Sequence, residues 1–136
     1  MMNEYRQKLL KEIGIKISES NLSYEDWLII SSNGKLSEEF MREFKQKIHW
    51  RVTYIHQTLS DDFLIELQDT MNWSYYFILA KPSFTIAKKF ITKTNPRYFD
   101  SFNLSHFDDI QINKLQRILD VKNVFQKNNI KLKKTT

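Results

Sequence analysis

Three tryptophans, Trp27, Trp50 and Trp73, stand 23 residues apart, and the segments that lead up to the last two are near copies. "LSEEFMREFKQKIHW" occupies residues 36–50 and "LSDDFLIELQDTMNW" residues 59–73. Leu36, Ser37, Phe40 and Trp50 correspond to Leu59, Ser60, Phe63 and Trp73. The pair Glu38–Glu39 becomes Asp61–Asp62, Phe44 becomes Leu67, and Ile48 becomes Met71. A degraded copy follows, with Pro82–Ser83, Ile86, Phe90 and Asn95–Pro96 in register. A further start at "NLSHFDDI" (103–110) is one residue off. Repetition at this period marks an array of small units that bury their apolar faces on one another.

Each unit reads as two short helices. Ser37 and Ser60 are suited to N-caps, because a hydroxyl accepts a hydrogen bond from an otherwise unpaired backbone N–H. The acidic pairs after them sit at the positive end of the helix dipole. Leu36 with Met41, and Leu59 with Leu64, have the spacing of a hydrophobic staple. Phe40, Phe44 and Ile48 recur every four residues, as do Phe63, Leu67 and Met71, which places each set on one helical face. The second helix of each unit is expected to start at Asp26, His49, Asn72 and Asn95, three of them good caps. Pro96 then takes the first helical position, where its missing N–H costs nothing. The stretches "WLIIS", "WRVTYI" and "WSYYFI" are rich in β-branched and aromatic residues, so a strand-plus-helix repeat is the alternative. The caps and Pro96 favour an all-α fold of stacked helical pairs, in a solenoid-like bundle.

The expected organisation is one repeat domain over residues 1–125, with units near 27–49, 50–72, 73–95 and 96–119. Helices over 4–17 (Tyr5, Leu9, Leu10, Ile13, Ile17) and 106–125 (Ile110, Leu115, Ile118, Leu119, Phe125) would close its ends. Residues 126–136 read as a basic, frayed tail. The expected repeat core is Trp27, Phe40, Phe44, Trp50, Phe63, Leu67, Trp73 and Phe90. A tryptophan repeating among leucine, isoleucine and phenylalanine is core more often than a platform for bases. Tyr75 and Tyr98 stay open, because no repeat position requires them.

The repeat, in the form W…L-S-x₂-F-x₃-F-x₃-[IVM]-x-W, resembles tandem repeats of small bacteriophage proteins and of some large DNA viruses. The resemblance rests on Trp27–Trp73, about a third of the chain. It implies a phage accessory protein acting in the bacterial cytoplasm by binding and blocking host machinery, an RNA-guided (CRISPR-type) defence effector among the candidates.

Catalytic chemistry finds little purchase. The chain has no cysteine, which excludes disulfides, thiolate–zinc sites and thiol nucleophiles. Gly14 and Gly34 are its two glycines, too few for a phosphate-cradling or dinucleotide loop. His49 and His56 are read as a cap and a surface residue. His106 with Asp108 and Asp109 is the one candidate ligand or acid–base set, although Ser105-x-x-Asp108 also has the spacing of a capping box. No nucleophile–base–orienter set can be assembled. The expectation is a non-enzyme with no cofactor and no metal. The longest apolar run, "WSYYFILA" (73–80), is too short to span a membrane.

Net charge is +5, and its layout is uneven. Residues 57–73 hold Asp61, Asp62, Glu66 and Asp69 and no base, whereas residues 81–97 hold Lys81, Lys88, Lys89, Lys93 and Arg97 and no acid. One reading pairs these charges across adjacent units. The other is a basic face, continued by Lys122 and Lys127, that meets a partner. The leading partner is a host protein or ribonucleoprotein complex. The alternative is nonspecific, salt-sensitive nucleic-acid binding through phosphates.

Overall fold

The computed structural model describes residues 3–135, with side chains over residues 4–125. Among them every regular element is helical, as the caps and Pro96 indicate, and the three stretches that could have been strands are helices. The chain groups into two units, Met1–Leu59 and Ser60–Thr136. The boundary falls inside the region expected as a single domain, immediately before the serine that starts the second Leu-Ser helix. The basic side chains expected over 126–136 lie outside the described residues.

The first unit contains α1 (Asn3–Glu12), a 3₁₀ turn (Glu19–Asn21), α2 (Tyr24–Ser31), α3 (Glu38–Glu43) and α4 (Trp50–His56). Helices this short are unstable alone, so packing and caps hold them. The core gathers Leu9, Leu10, Trp27, Leu36, Phe40, Met41 and Phe44, all buried. Trp27 and Phe44 meet at 5.3 Å between ring centroids. Beneath them a polar knot joins α2 to α4. The buried Ser31 hydroxyl donates to the Trp27 carbonyl (2.7 Å) and accepts from the His49 N–H (2.9 Å), while Thr53 Oγ1 donates to the Ser31 carbonyl (3.0 Å). Every polar atom there is satisfied, which is what makes the burial affordable.

Three expectations are corrected in this unit. α1 ends at Glu12, short of residue 17, because Gly14 takes φ +91°. Ile15 N–H then reaches the Leu10 carbonyl (2.9 Å) and Gly14 N–H the Lys11 carbonyl (3.0 Å), a Schellman closure that needs a left-handed residue. Asp26 is not the cap of α2. Ser23 is, and Asp26 answers it reciprocally at the third helical position (3.1 and 2.8 Å). Trp50 is half-buried rather than core, with its indole N–H donating to the Lys45 carbonyl (3.0 Å).

The second unit contains α5 (Asp61–Glu66), α6 (Trp73–Leu79), α7 (Phe84–Phe90), 3₁₀ turns at Ile91–Lys93 and Pro96–Ser101, and α8 (Asp109–Thr135). Phe63, Leu64, Leu67, Trp73, Phe77, Ile86, Phe90, Ile91, Leu115 and Leu119 form its core. Ser60, Asn72 and Ser83 cap their helices by accepting from Phe63, Tyr75 and Ile86 N–H. Asn95 accepts from Arg97 N–H and Pro96 takes the first position, but the helix they start is a 3₁₀ helix that stops at Ser101. Met71 is half-buried, since it lies beyond the six-residue α5. The expected Ser105 cap gives way to Asp108, which trades hydrogen bonds with Gln111 (2.8 and 3.0 Å) and starts α8 three residues later.

Candidate functional site

The residues named from sequence as a basic face sit on the second unit, where Lys81, Lys88, Lys89, Lys93 and Arg97 are all exposed. Three of these cations lie against an aromatic ring. Lys88 Nζ is 4.9 Å from the Phe84 ring centre, Lys93 Nζ 6.0 Å from Phe90, and the Arg97 guanidinium 5.5 Å from Tyr98. The pairing of this face with the acids of residues 57–73 is not what Asp61 does. Its carboxylate accepts from the Ser83 hydroxyl through both oxygens (3.0 Å each). Among the described residues no ion pair joins Asp61, Asp62 or Asp69 to those cations.

Lys122 is set apart from the rest. It is half-buried, and its ammonium donates to the Thr92 carbonyl in the middle of the 3₁₀ turn after α7. It therefore ties α8 to that turn, where Leu115 and Leu119 also go under. The Lys127 side chain lies outside the described residues.

Beside this tie runs a groove of about 750 Å³ along α8. Ile110, Ile118 and Val121 give it an apolar surface, Lys114, Arg117 and Lys122 give it positive charge, Thr92 and Asn113 complete it, and no carboxylate lines it. Ile110 is 79% exposed and Val121 49%, and the neighbouring Val124 and Phe125 are 56% and 63% exposed. Val121, Val124 and Phe125 lie within about one turn of one another, with Ile110 about three turns earlier, and exposed apolar side chains grouped in this way mark a contact surface.

Sequence reasoning missed this groove by taking Ile110, Leu115, Ile118, Leu119 and Phe125 together as the apolar positions of one closing helix. The signal was present in the excess of apolar positions. Leu115 and Leu119 alone make a buried stripe, whereas Ile110, Val121 and Val124 fall on a second line of the helix.

The candidate acid–base set does not assemble. His106 Nε2 pairs with the Pro82 carbonyl (2.7 Å), its ring lies 4.1 Å from Phe107, and Asp108 is occupied as the cap of α8. No cluster of three or more histidine or carboxylate groups that could hold a metal forms among the described residues. The perturbed groups lie elsewhere and have structural causes. Glu39 accepts from the Tyr5 hydroxyl and pushes that phenol up to about 12. Burial, with the charge of Asp61, pushes the Tyr76 phenol up to about 12. Arg6 holds the Glu19 carboxyl below its ordinary value through a bidentate pair at 2.8 and 2.6 Å. No helix among the described residues is long and apolar enough to cross a membrane. No family model, no curated protein and no solved structure matches the chain.

Proposed function

We propose that this protein is a non-catalytic binding module that holds a protein partner in the groove of α8. The observation that carries the reading is the line of exposed aliphatic side chains, Ile110, Val121 and Val124, beside Lys114 and Arg117. Burying such a surface on a partner recovers roughly 25 cal/mol per Å² of apolar area, and the cations steer encounter and orientation. The resemblance of the tryptophan repeat to phage accessory proteins supports a host complex as the partner, blocked by occupation of one of its surfaces. An RNA-guided defence effector is a candidate of that kind.

The test is capture from nuclease-treated bacterial lysate by the wild-type chain and by Val121→Glu, which places a charge on an exposed position and leaves the core alone. The reading expects one host complex retained by the wild type and lost by the variant. Equal capture by both would remove the groove from the function.

A second reading has its own support in the aromatic-backed cations Lys88, Lys93 and Arg97. Phosphates would meet that face without base readout, and retention would fall steeply with salt. An absorbance ratio at 260 and 280 nm that drops after a high-salt wash would favour it.

A further inference from the structure

We infer that the occupant of the α8 groove is an amphipathic helix with an acidic centre, an inference that rests on the proposed binding role of this site. Ile110, Lys114, Arg117, Val121 and Val124 are spaced four, three, four and three residues apart, and all five are exposed. That 3.5-residue average keeps one straight seam facing a second helix, so that side chains of each can enter the gaps of the other. The fourteen steps from Ile110 to Val124, at 1.5 Å rise each, make the seam about 21 Å long, or four turns. An extended peptide or a phosphate backbone would find no such matched period.

The order along the seam sets the chemistry of the occupant. Aliphatic side chains stand at both ends, Ile110 at one and Val121 with Val124 at the other, and two cations occupy the middle. The facing helix therefore carries aliphatic residues at its ends and two carboxylates between them. Lys122 stands off this seam, with its ammonium held back on the Thr92 carbonyl. The carboxylates nearest along α8 are Asp109 and Asp120. Neither lines the groove, and Asp120 accepts from Gln116 Nε2 (3.1 Å).

A second copy of this chain fits poorly. A parallel pair of seams sets Lys114 against Lys114 and Arg117 against Arg117, and an antiparallel pair centred on the seam sets Arg117 against Arg117. Like charges facing each other across a helix pair oppose association. Nucleic acid fits poorly too, since it offers nothing for Ile110, Val121 and Val124 to bury against.

Three labelled probes decide the matter by fluorescence anisotropy with the full chain. One is an 18-residue helical peptide with leucines at the ends of its seam and two glutamates in the middle. Another is the same peptide with lysines in place of the glutamates, and the last is a 20-nucleotide oligothymidylate. The inference expects the glutamate peptide to bind at least about tenfold more tightly than the lysine peptide. In the double variant Lys114→Glu with Arg117→Glu that preference reverses, with circular dichroism unchanged because both positions are exposed. Equal binding of the two peptides, no binding of either, or tighter binding of the oligothymidylate that survives Val121→Glu would overturn it. If Val121→Glu abolishes lysate capture while the glutamate peptide fails to bind, the acidic helix falls and the binding module stands. If Val121→Glu changes neither, both fall.

Discussion

Trp73 lies flat on Phe90, with ring centroids 4.2 Å apart and planes 10° from parallel. Phe90 follows Trp73 by the same number of residues as Phe44 follows Trp27, and that earlier pair is also in ring contact, at 5.3 Å. Both rings of the Trp73 pair are buried, and the Trp73 indole N–H donates to the Gln68 carbonyl (3.0 Å), as the Trp50 indole does to Lys45. The ring contact thus recurs between Trp27 and Trp73, and the indole hydrogen bond between Trp50 and Trp73.

Trp73→Ala is expected to cost about 3–5 kcal/mol, because it removes a buried indole and leaves a cavity against Phe90. Phe90→Ala should cost a similar amount. The double variant should fall short of the sum by about 1 kcal/mol, the part that belongs to the stack itself. Urea denaturation of the four proteins measures the coupling, and strict additivity would show that the two rings share no energy.

Arg6 ties the first unit together from a half-buried position. Its guanidinium holds Glu19 at both oxygens, reaches the Glu43 carboxylate (3.0 Å) and carbonyl (3.1 Å), and lies 4.4 Å over the Phe44 ring. Arg6→Ala is expected to destabilise by about 2 kcal/mol, and Arg6→Lys by most of that, since an ammonium cannot make the planar fork.

Because Glu19 titrates lower in the folded chain than in the unfolded one, its ionised form stabilises the fold. That contribution is complete above the ordinary carboxylate value of about 4.3 and is lost as pH falls through the lowered folded value. Glu19→Gln should therefore weaken the protein at pH 7 and narrow its gap to the wild type at about pH 3. A stability difference that stays constant with pH would show that the pair carries no charge-dependent energy.

Gly34 is required by close approach rather than by its backbone angles. A Cβ added there would stand 2.8 Å from the His56 carbonyl oxygen, a backbone atom with nowhere to retreat. Gly34→Ala is expected to cost about 1–3 kcal/mol. Lys35→Ala beside it, exposed and contributing only its backbone N–H to the Asn33 side chain, should stay within about 0.5 kcal/mol. Thermal unfolding of the two variants separates local crowding from a general sensitivity of the loop.

Ser83 has two tasks, accepting from the Ile86 N–H (3.1 Å) and donating to Asp61. Ser83→Ala is expected to lose about 1–2 kcal/mol and Ser83→Thr to retain most of it, as threonine keeps the hydroxyl. Asp61→Ala removes the second task, and the charge it takes from the first turn of α5 contributes about 0.3–1 kcal/mol of its effect. If it destabilises as much as Ser83→Ala beyond that charge effect, the cap contributes little and the bond to Asp61 dominates.

Helix identity and most helix starts could be read from the chain because they are local. A serine cap takes its N–H from three residues onward, so Ser37, Ser60 and Ser83 announce their helices without reference to anything distant. Asn72, Asn95 and Pro96 do the same. The misreadings at Asp26 and Ser105 are one-turn slips between neighbouring capping residues. The overlong α1 came from passing over Gly14, whose left-handed φ ends the helix.

The candidate site was hidden for the opposite reason. On α8, Leu115 and Ile110 are both aliphatic and both helical, and nothing within one turn of either distinguishes them. Leu115 is buried and Ile110 is exposed because the 3₁₀ turn of Ile91–Lys93, some 20 residues earlier, packs on one face of α8 and leaves the other open. Lys122 likewise reads as one more exposed cation until the Thr92 carbonyl is brought beside it. Local hydrogen bonding and side-chain period by themselves determined that this chain is helical, where most of its helices begin and, Trp50 apart, which of the repeat's aromatic rings enter the core. Only the tertiary structure decided which apolar stripe of α8 remains available and which of its cations is held back against the fold, because both depend on what packs against the helix from far along the chain.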